Sequence, residues 1–290
     1  MALTYAVITP ARDEAENLAR LASAMVAQTV RPQAWVIVDD GSQDATAQIA
    51  AGFAARHPWI TVIAGPGASE GALRDGLREG RDLLAFRAGL RVLPSGPDVV
   101  VKVDADVSFE RHYFERLIAR FAADPHLGMA SGSCWELVDG EWQLQPVTAG
   151  HVRGASRAYR RECLSIVEAL EPSMGWDGVD EIKAQVLGWR TATFRDPPFR
   201  HHRPRGERER HRLRAAAARG RGAWYMGYRP TFVLLRALWR LASDPGALGM
   251  VWGYAAAGAA RTPRCPDPDV VRAVRARQRW RNLAAVGRPR

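Results

Sequence analysis

Residues 98–109 read DVVVKVDADVSF. A nearly unbroken run of β-branched residues of this length is the pattern of a strand buried on both faces of a parallel sheet. The run ends in Asp104, Ala105 and Asp106. Two carboxylates one residue apart, leaving the carboxyl end of such a strand, project into the crevice where open α/β sheets bind ligands. Carboxylate oxygens suit Mg2+ or Mn2+, ions that take their remaining ligands from water and substrate phosphates. The same residues also read as an acidic turn capping the next helix, because Asp and Ser are favoured N-caps.

Working outward, the first half of the chain alternates strand and helix patterns. An apolar run at 3–9 is followed by Pro10, Ala11, Arg12, Asp13 and Glu14, and then by helical spacing through Leu18, Leu21 and Met25. A second strand at 34–38 ends in Asp39, Asp40, Gly41 and Ser42, with Asp44 and Thr46 opening a helix to about residue 56. A third strand at 59–64 and a glycine-interrupted helical region at 68–90 lead to the central strand. Such alternation implies βαβ units with right-handed crossovers and a parallel sheet whose strand ends open on one edge. Arg12, Glu14, Asp39, Asp40, Asp104 and Asp106 are therefore expected along one cleft. No G-x-G-x-x-G follows the first strand and no G-x-x-x-x-G-K-[ST] occurs, which argues against a dinucleotide site and a P-loop.

Charge divides the chain. Residues 1–194 hold 19 basic against 25 acidic side chains, whereas 195–290 hold 22 against 6. That asymmetry points to an anionic partner for the last third: nucleic acid, phosphorylated substrate or acidic lipid. Only Lys102 and Lys183 are lysines, so part of the arginine excess follows composition. Cys134, Cys163 and Cys265 share no metal-like spacing, and their odd number fits a reducing compartment better than a disulfide scaffold. The amino terminus shows no basic leader or long apolar region, so a cytoplasmic protein is expected. The chain reads as one domain over 1–205 and a basic, aromatic helical extension over 206–290.

Taken together and in order, VITPARDEAENL, VIVDDGSQDAT and VKVDADVSF resemble the family 2 glycosyltransferases of GT-A fold, over roughly residues 3–200. The resemblance implies an α/β fold with a Rossmann-like, mainly parallel sheet flanked by helices, and transfer of a sugar from a nucleotide-sugar donor to a carbohydrate or lipid-linked acceptor. It places Pro10, Arg12 and Glu14 in the first nucleotide loop and Asp40 on the base. Asp104 lies near ribose and metal, followed by Ala105, and Asp106 is the direct ligand of Mn2+ or Mg2+. Arg81 matches a basic residue that contacts phosphate. Arg87 stands where many members have asparagine.

A departing nucleoside diphosphate gains negative charge, which a cation and an arginine stabilise, while the acceptor hydroxyl loses a proton to a base. By resemblance to inverting members, that base lies in GWDGVDE at 175–181: Asp180 first, Asp177 next, with Glu181 beside them. Acids also simply favour a helix N-terminus. Between the two acidic stations, HVRGASRAYRR at 151–161 offers a glycine and four arginines, the last two read as a solvated helix start. After a last strand at 191–194, FRHHRPRG at 199–206 resembles a feature of one branch, with His201 completing the metal shell and Arg203 clamping the diphosphate.

The extension mixes arginines with aromatics and leucines in WYMGYRPTFVLLRALWRL at 224–241, and the apolar run at 246–260 is shorter than the roughly 20 residues that cross a bilayer. Such helices lie in an anionic membrane interface, cover the sheet as a lid, or join two copies in a homodimer. Two other classes fit less well. A sugar nucleotidyltransferase normally opens with a glycine-rich phosphate loop, which 8–17 lacks. A nucleic-acid-binding module leaves acids at three strand ends unexplained, so no nucleic-acid partner is expected.

Overall fold

The computed structural model describes residues 3–66, 80–138, 140–148, 150–170, 172, 175–202, 212–241 and 244–279. Four parallel strands form the first half: β1 (Tyr5–Ala11), β2 (Ala34–Asp39), β3 (Ile60–Ala64) and β4 (Val99–Val103). Their crossovers are α1 (Ala15–Val26), α2 (Thr46–Arg56) and α3 (Arg81–Val92). Every residue of β4 is buried, as its apolar run demands. Short β5 (Val107–Phe109) and α4 (Tyr113–Ala123) follow.

The second half adds three strands that residue pattern alone had not marked and lengthens a fourth. They are β6 (Leu127–Val138), β7 (Glu141–Leu144), β8 (Ser156–Arg160) and β9 (Arg190–His201), which extends the strand expected at 191–194 in both directions. The sheet runs β3-β2-β1-β4-β8-β6-β9-β5, with β7 hairpinned on β6. β8 pairs antiparallel with β4 and β6, so of the two arginines read as a helix start Arg160 ends a strand, whereas Arg161 does open a short 3-10 helix, Arg161–Cys163. Arg160 is spent on the carbonyls of Phe121 (2.6 Å), Asp124 and Leu127. β5 pairs antiparallel with β9, setting Val107 opposite His201.

Two helices, α5 (Ser165–Glu168) and α6 (Trp176–Val186), fill the link from β8 to β9. The extension comprises α7 (Arg212–Tyr225), α8 (Pro230–Leu241), α9 (Leu248–Ala259) and α10 (Pro268–Arg277). It has a cluster of its own, Ala223, Val233, Met250 and Tyr254, and also packs on the first part of the chain. Tyr225, Met226, Val270 and Val274 share a buried cluster with Trp176 and Val179, and Lys183 pairs with Asp267 at 2.5 Å. Arg203 and the boundary drawn at 205/206 lie outside the described residues.

Candidate active site

Three loops meet at the carboxyl edge of the parallel strands. Asp13 takes a left-handed conformation (φ 53°), donating its N–H to Ser42 Oγ (3.0 Å) while its carboxylate accepts from the Gln43 N–H (2.7 Å). The Glu14 N–H donates to Thr46 Oγ1 (2.8 Å), and the Asp40 N–H to the Ala11 carbonyl (2.9 Å). The loops after β1 and β2 thus form one stitched unit, with Pro10 in register with Val38. Asp40 is buried, and its Oδ2 accepts from Arg81 Nε at 2.8 Å. Arg12 reaches the Asp40 carbonyl at 3.5 Å. Gly65, at the end of β3, closes this corner: a Cβ there would stand 2.9 Å from Asp40 Oδ1.

The second station lies two strands along. The Asp104 N–H donates to the Ala155 carbonyl (2.9 Å), and its Oδ1 accepts from Lys102 Nζ at 2.5 Å. Burial favours a neutral Lys102, but Asp104 and Asp82 hold the ammonium well above its usual pKa. Ala105 is buried between the two acids. Asp106 is also buried, and because β5 pairs with β9 its Oδ2 lies 3.1 Å from His201 Nε2. His201 Nδ1 lies 3.2 Å from Glu136 Oε1. Burial alone would depress this imidazole, but hydrogen bonds with Asp106, Cys134 and Glu136 lift its pKa to about 11. His202 faces away toward Ser108 Oγ (2.7 Å). On that side a cavity of about 300 Å3 is lined by Ser108, Glu110, Trp135, Trp142 and Arg200.

The 175–181 acids separate sharply by environment. Asp180 is fully buried: both its oxygens bind Arg157 Nη1 (2.6 and 2.7 Å), and Tyr159 Oη donates to it at 2.7 Å. Burial pushes its carboxyl up to about 6, while the Arg157 guanidinium and the Tyr159 hydroxyl pull the other way. Glu181 is buried too, bracing His151 (3.0 Å) and the Val152 N–H (2.8 Å). Asp177, in the first turn of α6, is exposed, and Gly154 faces its carboxylate. Asp180 ties α6 to Arg157 and Tyr159 of β8 and Glu181 holds the segment just before it, whereas Asp177 is exposed.

Residues 6–144 match the family model described as glycosyl transferase family 2. The matched segment, which carries the ends of β1, β2 and β4, belongs to this family. Among solved structures, the mannosyltransferase PcManGT from Pyrobaculum calidifontis, in complex with GDP-Man and Mn2+, is similar over 90% of this chain and 76% of its own (TM-score 0.60, 21% identity). S. aureus TarS 1-349 in complex with UDP-GlcNAc is similar over 70% of this chain and 59% of its own (TM-score 0.52, 19% identity). GalNAc-T7 with UDP, GalNAc and Mn2+ is similar over 70% and 44% (TM-score 0.54, 15% identity). At these identities the likeness shows the fold, GT-A. Comparison with curated proteins gives no match.

In this glycosyltransferase, three residues of the site escaped sequence reading. Lys102 carried a signal, a lone lysine inside the apolar strand VVVKV, where a charge is tolerated only with a partner. Glu136 and Arg157 carried none. Glu136 comes to His201 only through the pairing of β6 with β9, and Arg157 to Asp180 only through the packing of α6 on β8.

Proposed function

We propose that this family 2 glycosyltransferase moves a hexosyl or related sugar from a nucleoside-diphosphate sugar to an acceptor hydroxyl, with inversion. The observation that carries the reading is the chain of contacts at the strand ends: Arg81 pairs with Asp40, its neighbour Asp82 lies 3.5 Å from the Lys102 that binds Asp104, and Asp106, two residues on, meets His201. Asp106 and His201 offer one carboxylate oxygen and one imidazole nitrogen at a single buried point, a mixed set that fits Mn2+ better than Mg2+, which prefers all-oxygen ligands. PcManGT and GalNAc-T7 were solved with Mn2+. When bound, the cation supplies positive charge to the leaving diphosphate.

The protein's own groups do the rest. Asp40 accepts from the base, and Arg81 and Arg12 add positive charge beside the phosphates; Pro10 and Glu14 shape that loop. Lys102 holds Asp104 toward the ribose. The acceptor oxygen forms its bond to the anomeric carbon as the bond from that carbon to the diphosphate oxygen breaks, and the hydroxyl proton passes to Asp177. A panel of nucleotide-sugars with Mn2+ tests the assignment by thermal shift and diphosphate release, since a bound donor raises apparent stability. Stabilisation or release by no member overturns it, and release of pyrophosphate from sugar phosphate and nucleotide would instead identify a nucleotidyltransferase.

Gly65→Ala probes the base corner. The added methyl must push Asp40 aside, a strain of about 1–3 kcal/mol, so donor affinity should fall about tenfold in calorimetric titration. Unchanged affinity would remove Asp40 from the donor site.

We further propose that the acceptor is met at an anionic membrane surface, as a lipid-linked or polysaccharide acceptor on the inner face of the cell membrane. No helix among the described residues is long and apolar enough to cross a membrane. The support is how α8 and α9 pack: small Val233 and Ala237 turn inward, while Leu234, Leu235, Leu238 and Trp239 (79% exposed) turn out. On α9 the outward stripe includes Leu248 and Trp252 (67% exposed). Arg236 and Arg240 flank the first stripe, and crowding with Arg219 adds to the burial that lowers the Arg240 pKa. Apolar residues beside arginines match an interfacial helix against acidic headgroups. The chain should sediment with phosphatidylglycerol-containing vesicles and far less with pure phosphatidylcholine. Replacing Leu238, Trp239 and Trp252 with serine should weaken that partition at least tenfold. Equal sedimentation of the variant would refute the surface, and a concentration-dependent dimer dissolved by the same changes would assign the face to a second copy.

A further inference from the structure

Cys134 and Glu136 lie two residues apart on β6 and share one of its faces, and the parallel register sets His201 of β9 directly opposite Glu136. A thiol sulfur, a carboxylate oxygen and an imidazole nitrogen thereby come within 4.8 Å of one another. All three residues are buried, Cys134 at 2% exposure, Glu136 at 9% and His201 at 8%. The imidazole has two working edges. Nε2 faces Asp106 at 3.1 Å and Nδ1 faces Glu136 at 3.2 Å.

Those edges differ in chemistry. The Asp106 side adds only carboxylate oxygen, which suits a hard cation. The other adds a sulfur, and sulfur with imidazole and carboxylate is a donor set for zinc and its soft neighbours, which bind N and S sites more tightly than Mn2+ does. Three protein ligands leave one tetrahedral position for water. We propose that Cys134, Glu136 and His201 form a second metal site, for Zn2+ or a similarly soft divalent ion, and that it competes with the donor cation because both use His201. With the soft ion on its side, Asp106 becomes the carboxylate that hydrogen-bonds the far nitrogen of a metal-bound histidine, a common supporting arrangement. Its oxygen is then engaged in holding the ring. The competition, though not the binding itself, rests on reading Asp106 and His201 as the Mn2+ ligands.

The test titrates the full chain with Co2+, a coloured stand-in for zinc. Near-ultraviolet thiolate-to-cobalt absorption should grow to one equivalent, vanish in Cys134→Ser and require at least tenfold more Co2+ in Glu136→Gln. Added Zn2+ should bleach it. No such absorption in the unaltered chain, or the same absorption in Cys134→Ser from Cys163 or Cys265, overturns the site, and melting curves confirm that both variants are folded. Mn2+ binding, followed by the resonance signal of the free ion, should weaken as Zn2+ is added; Mn2+ binding indifferent to Zn2+ overturns the competition. Asp106→Asn separates the two readings: loss of Mn2+ binding with the cobalt absorption retained supports both, whereas unchanged Mn2+ binding refutes Asp106 as the donor-cation ligand and leaves the soft site standing.

Discussion

Replacing Asp106 with asparagine should lower Mn2+-dependent release of nucleoside diphosphate by about three orders of magnitude. Charge stabilisation by a catalytic metal is worth several kcal/mol, and each 1.36 kcal/mol is about tenfold in rate. Asparagine keeps the shape of the side chain and an oxygen to accept from His201 Nε2, now 3.1 Å away, so the strand pairing of β5 with β9 should survive. What it removes is the negative charge that a divalent ion needs. The measurements are turnover against Mn2+ concentration, direct Mn2+ binding and melting temperature. A folded variant with unaltered Mn2+ binding and turnover would mean that the carboxylate serves only to hold His201.

Asp177→Asn should cut kcat by about 10²–10⁴-fold, the usual contribution of a general base, with donor affinity and melting temperature close to those of the unaltered chain. The reason is exposure: Asp177 stands in the open first turn of α6, beside Gly154, the neighbour of the residue that binds the Asp104 N–H. Asp180→Asn should behave differently. It leaves the guanidinium of Arg157, itself wholly buried, with only the more distant Glu181 carboxylate at 3.9 Å, and breaking a buried pair from one side costs up to about 3–5 kcal/mol. Its first effect should be on melting. If Asp180→Asn melts normally and loses turnover while Asp177→Asn keeps it, the roles given to these two acids are interchanged.

These two predictions mark where sequence and structure part. Asp104 and Asp106 were legible because a buried strand and the acids at its end are both local patterns, read within a dozen residues. The first two strand ends were legible for the same reason, although the hydrogen bonds that stitch Asp13 and Glu14 to Ser42 and Thr46 were not. Choosing among Asp177, Asp180 and Glu181 was beyond the sequence. All three fit an acidic helix start, and what separates them is Arg157, twenty or more residues earlier. The extension posed a similar ambiguity. Its leucines and tryptophans read as amphipathic, but only packing showed that small Val233 and Ala237 face inward and the bulky residues outward.

The sequence by itself determined the alternating α/β architecture, the family and the acids at the parallel strand ends, because hydrophobic period and capping chemistry act between near neighbours. The tertiary structure alone decided which of the acids at 175–181 is exposed, and that His201 stands between Asp106 and Glu136, residues 95 and 65 positions away. Those contacts depend on the register of β9 between β5 and β6, and register is set by the whole sheet closing around one core rather than by any stretch of chain.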